Sequence, residues 1–144
     1  MAISNFIIKN VTLNYVHIDE PITPFDQNEP IFDVQIVVPK SRKAELEPFG
    51  KPREVEGGYA INLKRFTKTL KDNKKVKIEC VTAQGKDFRA EYGDAKCIGN
   101  GSKGSVIGFQ YQKEGRTFSR LSAIQVTELK KFEPTPAVEF DILD

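Results

Sequence analysis

The sequence contains no tryptophan, one histidine and only two cysteines in 144 residues. Cys80 and Cys97 lack C-x-x-C spacing, and with a single histidine they cannot supply the ligands of a standard zinc site. They are expected as reduced core residues. His17 sits in "YVHIDEP" beside no serine or cysteine nucleophile pattern, so catalysis has no visible centre. It is expected as a surface or half-buried strand residue. Asp19 and Glu20 are adjacent, and on a strand such neighbours point to opposite faces and hold no metal between them. The expectation is a protein that is not an enzyme and uses no cofactor. Long apolar runs are missing too: Ile36–Val38 is typical of the longest, far short of the roughly 20 residues that span a bilayer as a helix. The start "MAISNFIIKN" has no basic n-region, long apolar run or small-residue cleavage site, which sets a cytoplasmic location as the expectation.

What is present is charge, unevenly placed. The net charge is +2, but residues 1–39 carry one basic and five acidic side chains and residues 40–89 carry fourteen and seven. Residues 90–132 add seven basic against four acidic, and residues 133–144 add four acids and no base. A basic body is thus followed by an acidic tail. Such a run is either a solvated face or the footprint of an anionic partner. At this length one domain is expected, able to bury about 68–70% of the surface of its unfolded chain.

The pattern is mostly β. "IFDVQIVVPK" sets Phe32, Val34, Ile36 and Val38 against Asp33 and Gln35, predicting a half-buried strand stopped by Pro39. "NKKVKIECVTAQGK" sets Val76, Ile78 and Cys80 against Lys75, Lys77 and Glu79, predicting a strand with one wet, basic face. In "GGYAINLKRFTKTLKDN", Tyr59, Ile61 and Leu63 alternate, and a bulge is expected near Arg65. "SVIGFQYQKEGRTFSRLSAIQVTEL" is two apolar and aromatic runs around Lys113–Arg116, a hairpin signal. One short helix is expected in "SRKAELEPF", with Ser41 as its N-cap. Short strands with one helix point to a small barrel or sandwich, and the OB-fold is among the few barrels of this size.

The loop Gly99–Gly104 raises the question of a phosphate cradle. A P-loop places its lysine after the last glycine, on the first turn of a helix. Here Lys103 precedes Gly104, and the following "SVIGFQYQ" is strand-like. Gly99 and Gly101 are expected to supply positive φ angles for a tight reversal, with Lys103 able to touch a phosphate as a point charge.

Several segments, in order, carry a resemblance: "NYVHIDEP", "NEPIFDVQIVVP", "YAINLKRF", "VTAQGKDF", "IGNGSKGSV" and "IQVTELKKFEP". The chain resembles the OB-fold single-stranded DNA-binding proteins of tailed phages, such as those of short-tailed coliphages. The resemblance implies a five-stranded Greek-key barrel with extra strands and one short helix. It also implies sequence-independent binding of single-stranded DNA during phage replication or recombination in an infected bacterial cell, and a homodimer. An acidic C-terminal tail would contact replication proteins such as a polymerase or a helicase/primase. The domain is expected over residues 1–132 and the tail over 133–144, with Glu139, Phe140, Asp141 and Asp144 as its contact residues. Family tails are often longer and end on an aromatic residue, whereas this chain ends "AVEFDILD".

Independent physical grounds lead to candidate contacts. Non-specific single-strand binding uses a cationic groove for the phosphates and aromatic faces for the bases. By two-residue alternation Phe109 and Tyr111 share one side of their strand, and Phe118 and Arg120 share one side of theirs. Lys113 and Arg116 flank the hairpin turn. Phe88 and Tyr92, which alternate with Arg89 in the strand-like reading of "GKDFRAEY", Lys75 and Lys77 on the basic strand, and Lys103 complete the set. The resemblance gives the stacking role to Tyr111 first and Phe109 second. Phe6, Phe32 and Phe66 are expected in the core. Two other readings stay open: a β-rich phage structural or assembly protein, and an RNA-binding OB module, since stacking serves either nucleic acid.

Overall fold

The computed structural model describes residues 3–23, 29–69 and 72–131. The tail residues Glu139, Phe140, Asp141 and Asp144 lie outside the described residues. Runs of β-branched and aromatic residues form β1 (Ile3–Ile22), β2 (Ile31–Val38), β3 (Arg53–Val55), β4 (Gly58–Phe66), β5 (Glu79–Thr82), β6 (Ser102–Lys113) and β7 (Arg116–Glu128). β1 pairs antiparallel with both β2 and β6, β2 with β4, and β6 with β7. A parallel contact of Lys64 with Arg120 joins β4 to β7 and closes the barrel. Five strands in this Greek-key order make an OB-fold, with β3 and β5 as additions at the sheet ends. Among the described residues no helix is long and apolar enough to cross a membrane.

β1 serves two neighbours because it bends. Its register shifts between Ile8 and Val11 against β6 and between Asn14 and His17 against β2, and Asn10 and Tyr15 take positive φ of 55° and 49° at those shifts. Inside the barrel Leu13, Val34, Ile36, Leu63, Val106, Leu121 and Ile124 are each 1% exposed or less. Each such side chain contributes about 1.5–3 kcal/mol by leaving water. β6 approaches its neighbours too closely for a side chain at Gly104, where a Cβ would lie 1.9 Å from the Gln125 carbonyl oxygen.

Several local expectations need correction. β2 is covered on both faces rather than one: Asp33 is buried, and its Oδ1 lies 2.9 Å from His17 Nδ1. The basic strand begins only at Glu79. Ile78 and Cys80 do point into the core, but Lys75 forms an isolated bridge with Lys68 and stays exposed with Lys77. β4 keeps an unbroken register with β2 as far as Phe66, so no bulge forms near Arg65. "SRKAELEPF" folds as a 3-10 turn (Lys40–Arg42), α1 (Lys43–Leu46) and a second 3-10 turn (Glu47–Phe49), because Pro39 and Pro48 leave room for one α turn. Ser41 lies inside the first turn and caps nothing. α1 delivers Leu46, fully buried, to the core.

"GKDFRAEY" is not a strand. Asp87 Oδ1 accepts from the Arg89 backbone N–H at 3.0 Å, an N-cap that starts α2 (Phe88–Tyr92). Local capping overrides the apparent alternation, and the helix turns Phe88 inward. The glycine loop is structural: Gly101 has φ of +95°, while Gly99 lacks the positive φ expected of it. Gly99 N–H instead donates to the Lys130 carbonyl at 2.7 Å. Asn14 Oδ1 accepts from Gly101 N–H and Asn100 Oδ1 accepts from Tyr15 N–H, so the loop is latched to the bend of β1. Both cysteines are free. Burial pushes the Cys80 thiol up to about 12, and raises the half-buried Cys97 as well.

Candidate nucleic-acid interface

The β6–β7 hairpin turns through Glu114 and Gly115, whose φ angles of 54° and 78° suit a two-residue primed turn. That turn fixes the register Lys113↔Arg116, Tyr111↔Phe118 and Phe109↔Arg120. Directly opposed residues share a face, so one side of the hairpin carries Phe109, Tyr111, Lys113, Arg116, Phe118 and Arg120 together. A slip of one residue between the strands would send the three residues of one strand to the face opposite the other three. The rings form a ladder, with centroids 6.1 Å apart for Phe109–Tyr111 and 5.4 Å for Tyr111–Phe118, and interplanar angles of 26° and 22°. All three are half-buried, so each keeps part of its surface open.

Two guanidinium groups lie over this ladder. Arg120 stands 5.2 Å from the Phe118 centroid, 5.9 Å from Tyr111 and 5.6 Å from Phe66. Arg65 stands 4.8 Å from Phe109, and its Nη1 donates to the Leu121 carbonyl at 3.0 Å. Burial, and then the nearby Arg120 charge, lower the Arg65 pKa from its ordinary value. Even so, an arginine keeps its proton at neutral pH. Among the described residues no carboxylate lies within ion-pair distance of either guanidinium. The site therefore concentrates positive charge beside open π faces. A cleft of about 250 Å³ runs along it, lined by Ile31, Lys64, Arg65, Phe66, Phe118 and Arg120. A second cleft of about 440 Å³ includes Phe32 and Thr67, the chain neighbours of Ile31 and Phe66, and its rim carries Lys68, Lys75 and Lys77.

The remaining sequence candidates fall elsewhere. Phe88 is 1% exposed and is a core residue, so it has no face to offer a base. Arg89 lines the second cleft, but its Nε is held 2.7 Å from Asp19 Oδ1. Tyr92 is exposed on α2, its ring 4.4 Å from Phe88 and apart from the ladder. Lys103 is exposed at the far end of β6, paired with Thr12 and Glu128. Sequence reasoning missed Lys64, Arg65 and Phe66. Phe66 is 37% exposed rather than in the core, whereas Phe32 is buried and Phe6 half-buried against Phe49. The signal was available: alternation puts Lys64 and Phe66 on the face opposite Ile61 and Leu63.

No family model matches the chain, and no curated protein matches it in sequence. Solved structures do match in fold. The C-terminally truncated single-stranded DNA-binding protein from bacteriophage Enc34 aligns with a TM-score of 0.61 at 15% identity, covering 91% of this chain and 88% of that one. The same phage protein in complex with single-stranded DNA aligns at 0.59 and 13% identity, covering 92% and 89%. The bacteriophage T7 single-stranded DNA-binding protein gp2.5 aligns at 0.62 and 17% identity, covering 99% and 96%.

Proposed function

We propose that this protein, which shares the fold of phage single-stranded DNA-binding proteins, itself binds single-stranded DNA without sequence preference and coats it during phage replication or recombination. The observation that carries the reading is the Phe109–Tyr111–Phe118 ladder under Arg65 and Arg120. Every base has a π face, so stacking on rings tolerates any sequence, and guanidinium groups beside the rings meet the phosphates. Lys113 and Arg116 at the hairpin tip extend the phosphate path in one direction. Lys68, Lys75 and Lys77 along the second cleft extend it in the other.

The reading is one of binding, because the features gathered on this face are rings and guanidinium groups. Residues 133–144 would act as an acidic arm that competes for the cationic face and recruits replication proteins once DNA displaces it. The test is competition against a labelled dT oligomer by unlabelled dT, rU and duplex DNA of equal length. The proposal expects dT to compete far better than duplex, whose bases are already stacked. Failure of every competitor and of direct binding favours a structural or assembly role, and stronger competition by rU favours an RNA-binding module.

A further inference from the structure

The sequence holds a single Asn-Gly pair, Asn100–Gly101. Glycine has no side chain to keep its backbone nitrogen away from the asparagine before it, so such a pair can modify itself. The Gly101 nitrogen, on losing its proton, attacks Asn100 Cγ; the N–Cγ bond forms, the Cγ–Nδ2 bond breaks, and Nδ2 leaves with a proton as ammonia. Water then opens the succinimide at either carbonyl. The product is aspartate, or an isoaspartyl linkage with one extra carbon in the backbone. Both residues are exposed, so water reaches them.

The surrounding contacts oppose each part of this step. Gly101 N–H donates to Asn14 Oδ1 at 2.9 Å and to the Leu13 carbonyl at 3.2 Å, so a deprotonated nitrogen would face two oxygens and no donor. Asn100 Oδ1 accepts from the Tyr15 N–H at 2.8 Å, which commits the asparagine side chain to β1 rather than to Gly101. The flanks are pinned as well. Gly99 N–H donates to the Lys130 carbonyl at 2.7 Å, and the buried Ser102 hydroxyl accepts from the Lys130 N–H at 2.9 Å and lies 2.8 Å from the Gly99 carbonyl oxygen. Tyr15 has φ of 49°, an uncommon conformation for an aromatic residue, and its bond to Asn100 supports it.

We infer that Asn100 is a deamidation site held dormant by this latch, and that opening of the glycine loop releases it. The isoaspartyl product lengthens the path from Gly99 to Ser102, which then no longer matches the spacing that Lys130 requires, and β1 loses the contacts at its bend. A transient opening thereby becomes a permanent change. Roughly 30 Å of β6 separates Ser102 from Tyr111, so the chemistry does not involve the proposed DNA site.

The full-length protein is incubated at mildly alkaline pH, folded and in urea. Mass spectrometry follows the tryptic peptide Cys97–Lys103, whose one asparagine is Asn100, for the mass gain of an NH2-to-OH exchange. Conversion in urea is expected, with conversion at least about 100-fold slower in the folded protein because several hydrogen bonds must open together. Asn14→Ala removes one acceptor of the Gly101 N–H and is expected to speed conversion about 2- to 12-fold, the loss of one hydrogen bond. Asn14→Asp keeps an oxygen there and is expected to convert at the parental rate, and circular dichroism checks that each variant is folded. Amide exchange at Gly101 in the parent protein gives a reading without substitution: slow exchange that accelerates with added urea in parallel with conversion is expected. Conversion as fast in the folded protein as in urea overturns the inference, as does no conversion of Asn100 in urea. So does a folded Asn14→Ala protein at the parental rate, acceleration by Asn14→Asp as large as by Asn14→Ala, or fast Gly101 exchange beside slow conversion.

Discussion

Replacing Tyr111 by alanine removes the central ring of the ladder, which lies 6.1 Å from Phe109 and 5.4 Å from Phe118. One stacked base is worth about 1–3 kcal/mol, so Kd for a dT oligomer is expected to rise about 5- to 150-fold. Arg120 would no longer have the Tyr111 ring beside it but would keep Phe118 and Phe66. The cation therefore stays in place, and the salt dependence of binding stays that of the parent protein. The ring is half-buried at the end of the hairpin, so the fold survives its removal. Tyr111→Phe keeps the π face and is expected to bind like the parent. Fluorescence anisotropy of a labelled dT oligomer across a salt series reads both affinity and slope, and circular dichroism checks the fold. A folded Tyr111→Ala protein with parental affinity would refute the stacking argument. A loss that appears as a reduced salt slope would show that the position governs charge rather than stacking.

Lys113→Ala and Arg116→Ala are each expected to make the slope of log K against log salt shallower by about 0.7 for every phosphate that the variant no longer neutralises, measured in the same titration. Arg89→Ala is expected to destabilise the fold by on the order of 3 kcal/mol in urea melts. It leaves the Asp19 carboxylate, whose side chain is 17% exposed, facing only the Ala95 N–H. The Cys80 thiol, pushed up to about 12 by burial, is expected to resist thiol reagents at pH values where free cysteine ionises. Because its folded pKa lies above the unfolded one and the neutral form is favoured, stability falls as pH rises beyond the ordinary thiol range, which alkaline melts would show. Truncation after Glu133 is expected to tighten dT binding at low salt, with a gain that shrinks as salt rises; equal affinities throughout would remove the competitor role of the tail.

The hairpin was legible because its signals were local and agreed with one another. Lys113–Arg116 carries turn chemistry, and two-residue alternation on either side fixes which rings share a face. The glycine loop could also be rejected as a phosphate cradle from residue order alone, since β6 follows it where a helix would be needed. What stayed hidden depended on tertiary context. Phe66 reads as core by residue type, and only the parallel contact of β4 with β7 brings it to Arg120. Phe88 and Arg89 read as alternating strand residues until the Asp87 cap starts a helix, which sends one to the core and the other to Asp19. Arg65 has no local mark of its role, because its partners Phe109 and Leu121 are supplied by distant strands.

The central claim is that rings and cations on the β6–β7 face act together on an unpaired strand. Titrating the protein with dT oligomers over a salt series, following the emission of its four tyrosines with no tryptophan to obscure it, tests this most directly. The account predicts quenching on binding, a linear fall of log K with log salt at about −0.7 per phosphate neutralised, and much weaker binding of duplex DNA of equal length. Absence of binding at low salt, or duplex bound as tightly as single strand, would contradict it.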